Sequence, residues 1–460
     1  MKTILIPISN GAAARSFLRS DFARIFSTPH TRFVLLAPQE KLSYYRMQFA
    51  VPSITWALLP PVSATREERA WQFAERASMP TSTSYWMHRF YFERRGTKAP
   101  LLARIAGFSV RMLLWSLGHF SWYRALFRFA YYARRTSPFA KLLSEYKPDI
   151  VFCPTLVYGG EYALLKEAKR RGIKTVAMAA GWDNFTSKTF LRVQPDHLLV
   201  QTEIMKRDAM HYADYPAARM TVVGAPQYDG HIRRAGVVSR EPFFKKIGAD
   251  IRKKLIVFAF SGKVSEEADW NALEVLADGF RRGALSRAEA QVLVRPYPKR
   301  KWSRAQAARV REEFGFLMEA PVARVGEGKD AWEFDDAALA FLRNTLAHAD
   351  AVISACSTFF VEAAIFGKPL VAIGFDAGAR SSANSARRFF LWNHLADLGK
   401  TGGVARAESA DDFIATVRAA LSFPTQQQEG RARIAREQCF FTDGKSAERL
   451  FLCVCKQFLL

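Results

Sequence analysis

The chain has 460 residues, more than one ordinary hydrophobic core accommodates, so two domains are expected. Hydrophobic residues make up 49% of it, which is typical of globular proteins and excludes a largely disordered chain. Lys and Arg number 67 against 43 Asp and Glu, a net charge of +24 that favours anionic partners such as nucleotides, phospholipid surfaces or nucleic acids.

The N-terminus and the cysteines favour a protein of the reducing cytoplasm. The apolar run in MKTILIPISN is too short for a signal peptide and is followed by turn residues, so a first strand is predicted there. No apolar run approaches the roughly twenty residues that span a bilayer. The cysteines form no CxxC pair and are odd in number, which argues against a disulfide scaffold and a zinc site. They are Cys153, Cys356, Cys439, Cys453 and Cys455.

Short apolar runs alternate with helix-length segments, the pattern of parallel sheets with crossover helices. The first predicted strands cover 3–8, 32–37, 149–153, 174–179 and 197–200. A second set covers 254–260, 291–294, 351–354 and 369–373. We therefore predict an α/β fold with one Rossmann-like domain at 1–228 and another at 236–425. A helix within 430–460 is expected to pack back on the first domain.

The segment from about 85 to 135 departs from this rhythm. It contains ten Lys or Arg against one acid, Glu93, interleaved with fourteen aromatic residues. Arginines stand between apolar residues at helical spacing, namely Arg104, Arg111, Arg124 and Arg128. This predicts basic amphipathic helices that bind an anionic membrane surface. An insertion packed on the domain with solvated arginines remains open, and no nucleic-acid-binding signature accompanies the charge.

Ligands of open parallel sheets bind beyond the carboxyl ends of the strands, so the loops there are candidate sites. After the first strand, Gly11 precedes small residues and Arg15 at a predicted helix start, which suits a phosphate or an acceptor. The loop after 174–179 contains Trp182, Asp183, Asn184 and Lys188. Asp183 is the predicted general base, and the others are predicted to orient the acceptor. Plain turns and helix caps are the alternatives.

Three loops of the second half favour phosphate binding. They supply Ser261 and Gly262, then Arg295 and Lys299, then Ser357 and Thr358 at the start of a predicted helix. Hydroxyl residues at a helix N-terminus suit phosphate, and Glu362, about one turn further on, is predicted to reach ribose hydroxyls. In each case an ordinary turn, or a helix cap with a surface glutamate, is the alternative.

Several motifs of other enzyme classes are missing from the sequence. No two aspartates stand two residues apart, so a DxD metal clamp is missing. Gly444-Lys445-Ser446 has Cys439 where a P-loop needs glycine. There is no GxSxG, and the eight histidines are scattered. We therefore expect neither a metal ion nor a cofactor.

Five motifs in order carry a resemblance that covers residues 150–460. They are VVGAPQYD (222–229), FAFSGK (258–263), VLVRPYPK (292–299), ISACSTFFVEAAIFGKPLVAIGFD (353–376) and TDGKSAERL (442–450). This half resembles the GT-B superfamily of nucleotide-dependent transferases, above all the CDP-glycerol glycerophosphotransferase-like and surface-carbohydrate glycosyltransferase families. The resemblance implies two facing Rossmann domains, with the donor held mainly by the second. It makes donor-binding candidates of Ser261, Gly262, Arg295, Lys299, Ser357, Thr358 and Glu362.

The chain departs from its relatives at four places, one of which is Tyr297 in place of the more usual His before Pro298. Polyol-phosphate transferases usually carry a His-Gly pair where this chain has Gly181-Trp182-Asp183. Many retaining enzymes carry a second carboxylate eight residues before the donor-binding glutamate, where this chain has Ser354, which favours inversion. The related sugar-nucleotide 2-epimerases usually show Asp-Ser-Gly-Gly where this chain has Ala355, Cys356, Ser357 and Thr358.

Together these observations predict an inverting, metal-independent glycosyltransferase. It is expected to use a nucleotide-sugar donor and a polysaccharide or lipid-linked acceptor in cell-surface polysaccharide or glycolipid synthesis. We expect it in the cytoplasm, peripheral to the inner face of the membrane. Polyol-phosphate transfer from a CDP donor and a non-catalytic membrane-associated protein on a degenerate scaffold are the alternatives.

Overall fold

The computed structural model describes residues 2–20, 31–61, 65–93, 99–135, 138–156, 159–179, 181–262, 265–320, 323–326, 331–355, 357–376 and 385–459. Two parallel sheets organise this part of the chain. The first consists of β1 (Lys2–Pro7), β2 (Thr31–Ala37), β3 (Ile54–Leu58), β4 (Ile150–Cys153), β5 (Lys174–Met178), β6 (His197–Val200) and β7 (Met220–Val222). The second consists of β8 (Lys254–Ala259), β9 (Ala290–Arg295), β10 (Leu317–Met318), β11 (Ala351–Ser354), β12 (Leu370–Ile373) and β13 (Ala405–Ala407).

Helices connect the strands and cover both sheets. Those of the first half are α1 (Gly11–Ala13), α2 (Gln39–Gln48), α3 (Arg66–Ala77), α4 (Ser82–Glu93), α5 (Leu101–Gly118), α6 (Ser121–Ala133), α7 (Ala140–Tyr146), α8 (Gly159–Arg170) and α9 (Glu203–Ala213). Those of the second half are α10 (Asp229–Ile232), α11 (Arg240–Ile247), α12 (Glu266–Arg281), α13 (Arg304–Ala308), α14 (Asp336–His348), α15 (Phe359–Ile365), α16 (Asn393–Gly399), α17 (Ala410–Ser422), α18 (Gln428–Cys439) and α19 (Ser446–Leu459). A π-helical turn, Ala14–Leu18, extends α1, and another, Asn184–Lys188, follows β5.

Both sheets have the strand order of a doubly wound nucleotide-binding domain. The orders are β3-β2-β1-β4-β5-β6-β7 and β10-β9-β8-β11-β12-β13, with parallel pairing of the strands throughout. The order reverses between β1 and β4 and again between β8 and β11, and such switch points open a crevice at the carboxyl ends of the strands. The predicted α/β fold with two Rossmann-like halves is confirmed.

All nine predicted strands are present, with ends that differ by at most one residue. The four strands that the sequence analysis missed are β3, β7, β10 and β13, and each is an edge strand of its sheet. Edge strands are less completely buried than central ones, so their residues need not form the continuous apolar runs on which the prediction depended. The two half-buried residues of β10 are the extreme case.

The last helix returns to the first sheet, as predicted. Leu450 and Val454 of α19 pack in the core that contains Ile4 and Ile6 of β1. Asp229 caps this helix, because its carboxylate accepts the backbone N–H groups of Ser446 at 3.0 Å and Ala447 at 2.8 Å. The chain thus crosses from one sheet to the other and back. The predicted domain limits at 228, 236 and 425 stay predictions.

The segment predicted as a basic aromatic insertion forms α4, α5 and α6. In the described part of the chain, α5 is the one helix of 18 residues that is apolar enough to cross a membrane by length and composition, and 6% of it is buried. By this criterion the expectation that no such segment exists is wrong. One side of α5 is nevertheless anchored to the protein, since Trp115 Nε1 donates to the carbonyl of Thr81 at 3.1 Å.

The structure corrects the prediction for the arginines of this segment, which turn inward. Arg124 donates to the carboxylate of Asp214 at 2.8 and 2.5 Å, and Arg128 reaches the same carboxylate at 3.0 Å. Arg104 donates to the carbonyl of Phe92, and Arg111 lies over the rings of Phe73 and Tyr91 at 4.7 and 5.1 Å. The guanidinium groups of Arg124 and Arg128 are therefore engaged within the protein, and membrane binding by this segment stays a prediction.

Candidate active site in the interdomain cleft

Ion pairs join the two sheets across a cleft. Three of them have the cation in the first half and the carboxylate in the second: Arg15–Glu362 at 2.8 Å, Arg19–Asp336 at 3.2 Å and Lys41–Glu333 at 2.6 Å. The backbone at Gly11 also belongs to this contact, because a Cβ there would lie 2.6 Å from the carbonyl oxygen of Trp332. Only glycine allows so close an approach.

A cavity of about 270 Å³ lies between the halves and is lined by both. Its aromatic side chains are Trp182, Tyr228, Phe260, Tyr297, Trp332, Phe334 and Phe359. Its cations are Arg15, Arg295 and Lys299, and its hydroxyl and amide groups belong to Ser16, Gln201, Gln227, Ser357, Thr358 and Gln438. Apolar walls with a few convergent polar groups are typical of ligand pockets, and this one lies at the switch points of both sheets.

The loop after β1 contributes Arg15 to the cavity but offers no anion site at its helix start. The side chain of Asn10 accepts the N–H groups of Ala12 at 2.8 Å and Ala13 at 3.0 Å, so these donors are already used. Gly11 is not among the residues that line the cavity. The phosphate or acceptor role predicted for Gly11 is therefore replaced by a packing role, since it allows Trp332 to approach.

The three candidate loops of the second sheet differ in what they present. Ser357, Thr358 and Lys299 line the cavity, and the Lys299 ammonium lies 5.2 Å from the centre of the Trp332 ring. Ser261 and Gly262 do not line it. The Ser261 hydroxyl is hydrogen-bonded to Ser354 Oγ at 2.7 Å and so joins the ends of β8 and β11, a structural rather than a ligand contact.

Gly262 and Arg295 also act within the protein. Gly262 has a φ of +126°, and the ring of Tyr297 packs 3.4 Å from where its Cβ would be. Arg295 lines the cavity but is buried and donates to both oxygens of Glu319. Its charge is thus neutralised within the protein, which weakens the prediction that Arg295 neutralises a leaving phosphate.

Glu362 is only 4% exposed, so the alternative of a surface glutamate does not hold. Its carboxylate accepts from Arg15 at 2.8 Å and lies 3.7 Å from His231 Nε2. Burial raises the pKa of Glu362, but the charges of Arg15 and His231 and their hydrogen bonds outweigh burial and lower the pKa to about 2. Glu362 still lines the cavity. Its carboxylate is nevertheless already bound to Arg15 of the first half, so it links the two halves of the protein and is not free to bind a ribose.

Asp183 follows β5 and stands next to the cavity residue Trp182, but it is not itself among the residues that line the cavity, so its role as base stays a prediction. Its carboxylate accepts from Lys188 Nζ at 2.7 Å and from Ser187 Oγ at 3.1 Å. Burial raises the pKa of Asp183, but the charges of Lys188 and His394 and the hydrogen bonds from Lys188 and Ser187 lower it to about 2. Asp183 is therefore ionised at neutral pH but weakly basic while Lys188 is paired with it.

The rest of this loop touches both halves of the protein. Trp182 packs edge-on against His394, with ring centres 5.0 Å apart, and burial lowers the pKa of His394 to about 4. Asn184, predicted to orient the acceptor, is fully buried and donates to the carbonyl of Thr155 at 3.1 Å. Neither Asn184 nor Lys188 lines the cavity. Of the predicted acceptor residues, Trp182 and Arg15 do.

Sequence reasoning missed the aromatic wall at Trp332 and Phe334. Both are buried and line the cavity, and the indole N–H of Trp332 has no acceptor among the described residues. The alternation Trp332-Glu333-Phe334 was the available signal, since it places two aromatic rings on one side of an extended segment and the carboxylate on the other. Glu333 indeed points to Lys41 and Tyr45 of the first half.

In the described part of the chain, no three His, Cys, Asp or Glu side chains come together in a way that could hold a metal ion. Metal independence stays a prediction.

No protein-family profile matches the chain, and no match was found among curated proteins. Solved structures do match over the whole length. A candidate UDP-N-acetylglucosamine 2-epimerase from Listeria monocytogenes is 12% identical with a TM-score of 0.55, covering 100% of this chain and 97% of its own. S. aureus MnaA, solved with UDP, is 9% identical with a TM-score of 0.55, covering 100% and 98%.

A third similar structure is UDP-GlcNAc 2-epimerase from Neisseria meningitidis bound to UDP-GlcNAc. It is 10% identical with a TM-score of 0.52, and the match covers 99% of this chain and 100% of the other. Identities this low establish the fold alone. The chain therefore has the two-domain GT-B-like fold that these UDP-N-acetylglucosamine 2-epimerases also have, and the resemblance to the CDP-glycerol family stays a prediction.

Proposed function

We propose that this protein is an inverting glycosyltransferase that uses a nucleotide-sugar donor. The observation that carries the proposal is the cavity itself, which joins aromatic walls, hydroxyl groups and cations at the switch points of two Rossmann-like sheets. Aromatic rings suit a nucleobase, and Lys299 with the hydroxyls of Ser357 and Thr358 suits a diphosphate. The structures with UDP and UDP-GlcNAc on the same fold support this class of ligand.

The loop after β5 supplies the general base of the proposed reaction. Asp183 takes the proton of an acceptor hydroxyl, whose oxygen forms a bond to the anomeric carbon as the bond from that carbon to the donor phosphate breaks. The nucleotide diphosphate leaves on the opposite face, its charge stabilised by Lys299. Lys188 must move away from Asp183 before this step, since their ion pair at 2.7 Å suppresses the basicity of the carboxylate.

The acceptor of this proposed enzyme is a polysaccharide or a lipid-linked sugar in cell-surface polysaccharide or glycolipid synthesis. The cytoplasmic face of the membrane is the proposed location.

A second candidate is epimerisation of a nucleotide sugar, because the similar solved structures are 2-epimerases. The residues that follow β11 argue against it. Ser357 and Thr358 stand where the related epimerases usually have two glycines, and Ala355 stands where they usually have aspartate. Transfer remains the first proposal for this reason.

Ligand binding to the cavity is the first test. UDP, CDP, GDP, their sugars and CDP-glycerol are compared by thermal unfolding, since a ligand at about 100 times its Kd stabilises the fold by about 2.7 kcal/mol. Lys299→Ala should weaken nucleotide binding by roughly tenfold, the loss of one charge-assisted contact. Lys301→Ala, an exposed lysine of the same loop that does not line the cavity, is the matched control and should bind like the wild type.

The nature of the product decides between the candidates. Release of nucleotide diphosphate only when an acceptor is present supports transfer, whereas conversion of UDP-GlcNAc to its 2-epimer without an acceptor supports epimerisation. Stabilisation by CDP-glycerol alone would favour polyol-phosphate transfer. If none of these nucleotides binds, all three proposed enzymatic activities are contradicted and a non-catalytic protein is favoured. EDTA should leave turnover unchanged, and loss that magnesium restores would contradict a metal-independent mechanism.

A further inference from the structure

An exposed apolar surface covers the outside of α5 and α6. We call it the outer face and define it by Leu101, Leu102, Ile105, Val110, Leu113, Phe120, Trp122, Leu126, Phe129 and Tyr132, whose exposure ranges from 37% to 80%. These ten account for nearly half of the 21 large hydrophobic side chains that are exposed among the described residues. So many exposed apolar side chains on two successive helices suggest a surface that something covers.

The spacing shows that α6 is built to present its part of this surface. Trp122, Leu126 and Phe129 of α6 follow one another at four and three residues, so they form one stripe along the helix. The opposite stripe of α6, with Arg124, Phe127 and Tyr131, is buried. In α6 the buried stripe combines Arg124 with two aromatic rings, and the opposite stripe exposes apolar side chains where an ordinary surface helix exposes polar ones.

The inward contacts of the arginines make this arrangement rigid. Arg128 donates to the carbonyls of Phe190 at 2.8 Å, Leu191 at 3.1 Å and Ala213 at 2.7 Å, besides its ion pair with Asp214. Because these bonds fix α6 to the loop after β5 and to the end of α9, the outer face cannot turn inward without breaking them. Its exposure belongs to the folded protein.

We propose that the outer face is a membrane-docking surface that lies in the interface of an anionic bilayer, with its apolar side chains among the lipids. Charge selects this occupant. The chain carries +24, so a second copy brought against the face would add like charge, whereas an anionic lipid surface attracts it over a long range. Amphipathic helices with Trp, Phe and Leu on one side bind such interfaces through buried apolar area.

The outer face is also connected to the cleft. Thr81, at the start of the turn into α4, accepts from Trp115 of α5 through its carbonyl and donates from Oγ1 to the carbonyl of Thr186 at 2.6 Å. Thr186 belongs to the loop that carries Trp182 and Asp183. Docking would therefore place the acceptor side of the cleft near the lipid surface. Membrane binding requires neither donor nor acceptor, so its failure would leave the proposed reaction untouched.

Vesicle flotation of the full chain tests the proposal. The probes are vesicles of phosphatidylcholine alone and vesicles of phosphatidylcholine with phosphatidylglycerol in equal amounts. The wild type should float with the anionic vesicles and more weakly with the neutral ones. A quadruple variant, Leu102→Ser, Leu113→Ser, Leu126→Ser and Phe129→Ser, removes apolar side chains that are 57–80% exposed and should lower partitioning by roughly tenfold or more.

The matched control changes equally exposed apolar side chains elsewhere, through Met47→Ser, Met210→Ser, Val238→Ser and Phe423→Ser, and should float like the wild type. Trp122 fluorescence should shift to the blue with vesicles, and Trp122→Phe should remove that shift. Equal flotation of the quadruple variant and the wild type, or no flotation of either, would overturn the proposal. A third outcome would also overturn it: light scattering shows that the wild type is a dimer and the quadruple variant a monomer, while both bind vesicles equally. The outer face would then be the contact between two copies of the chain.

Discussion

The cleft and the outer face are both rich in arginine and lysine, yet they use these residues in opposite ways. In the cleft, Arg15 reaches across from one half of the protein to Glu362 of the other, and Lys299 lines a cavity that a ligand can enter. Beneath the outer face, Arg124 and Arg128 form ion pairs with Asp214 of the same half. The side chains that remain exposed on this face are apolar.

The difference teaches that a cluster of cations in sequence does not by itself identify an anion site. The carboxylate that pairs with Arg124 is 90 residues away, and the one that pairs with Arg15 is 347 residues away. A buried cation without any partner would cost several kcal/mol, so an enclosed guanidinium is paired, with a carboxylate as for Arg124 and Arg15 or with backbone carbonyls as for Arg431. Only the cations left beside open volume can serve a ligand.

The largest expected effect concerns the cleft. Asp183→Asn keeps the shape of the side chain and removes the proposed base, so kcat should fall by roughly 10²–10⁴-fold while nucleotide affinity is retained. In the wild type the ion pair with Lys188 holds the pKa of Asp183 near 2. Lys188→Met should therefore raise this pKa and move the acidic limb of the kcat profile to higher pH. Steady-state kinetics across pH measure both effects.

Near wild-type turnover of Asp183→Asn would show that the carboxylate only anchors the loop through Lys188 and Ser187. The base would then have to be sought elsewhere. Glu161 is the next candidate, although it is buried and already accepts from Ser9 Oγ at 3.1 Å.

The next effect concerns the arginines beneath the outer face. Arg124→Ala should lower the free energy of unfolding by about 3 kcal/mol, the low end for a broken buried ion pair, because Asp214 is partly exposed and keeps Arg128. Leu126, which precedes the buried Phe127 in α6, is 57% exposed. Leu126→Ser should therefore change the free energy of unfolding by no more than about 0.5 kcal/mol. Urea unfolding measures both, with the exposed Arg135→Ala as the control.

Equal stability of Arg124→Ala and Arg135→Ala would mean that Arg124 is solvated, as the sequence alone suggested. The comparison between the two regions would then fail. Weaker vesicle binding by a fully stable Arg124→Ala would point in the same direction.

The central strands were predictable because they are buried on both faces, which leaves continuous apolar runs such as LIVFA at 255–259. The edge strands carry no such signature. For the site, the prediction relied on hydroxyl and basic residues that directly follow strands. Three of these residues, Ser357, Thr358 and Lys299, do line the cavity. The position of a polar residue in the sequence does not show whether its side chain faces the cavity or the protein interior. Ser261 and Asn184 were therefore predicted to bind ligands, although their side chains are hydrogen-bonded to a neighbouring strand and a neighbouring loop.

The smallest expected effect tests the bridge between the halves and depends on pH. Because the folded pKa of Glu362 is lowered to about 2 from an ordinary value of 4.5, its charge stabilises the fold above about pH 4.5, and this contribution is lost as the pH falls towards 2. Glu362→Gln keeps one hydrogen-bond acceptor for Arg15 but removes the charge. It should cost about 2 kcal/mol at neutral pH, the value of a hydrogen bond to a charged group, and progressively less in acid.

Unfolding curves at neutral pH and near pH 3 measure this difference directly, with the exposed Glu429→Gln as a control for general acid effects. A cost that stays constant with pH would show that Glu362 is not ionised in the folded protein. The variant should also bind nucleotide, because Lys299, Ser357 and Thr358 are unchanged. If binding were lost while stability remained that of the wild type, Glu362 would be a ligand of the donor after all, and the bridge to Arg15 would be incidental to the fold.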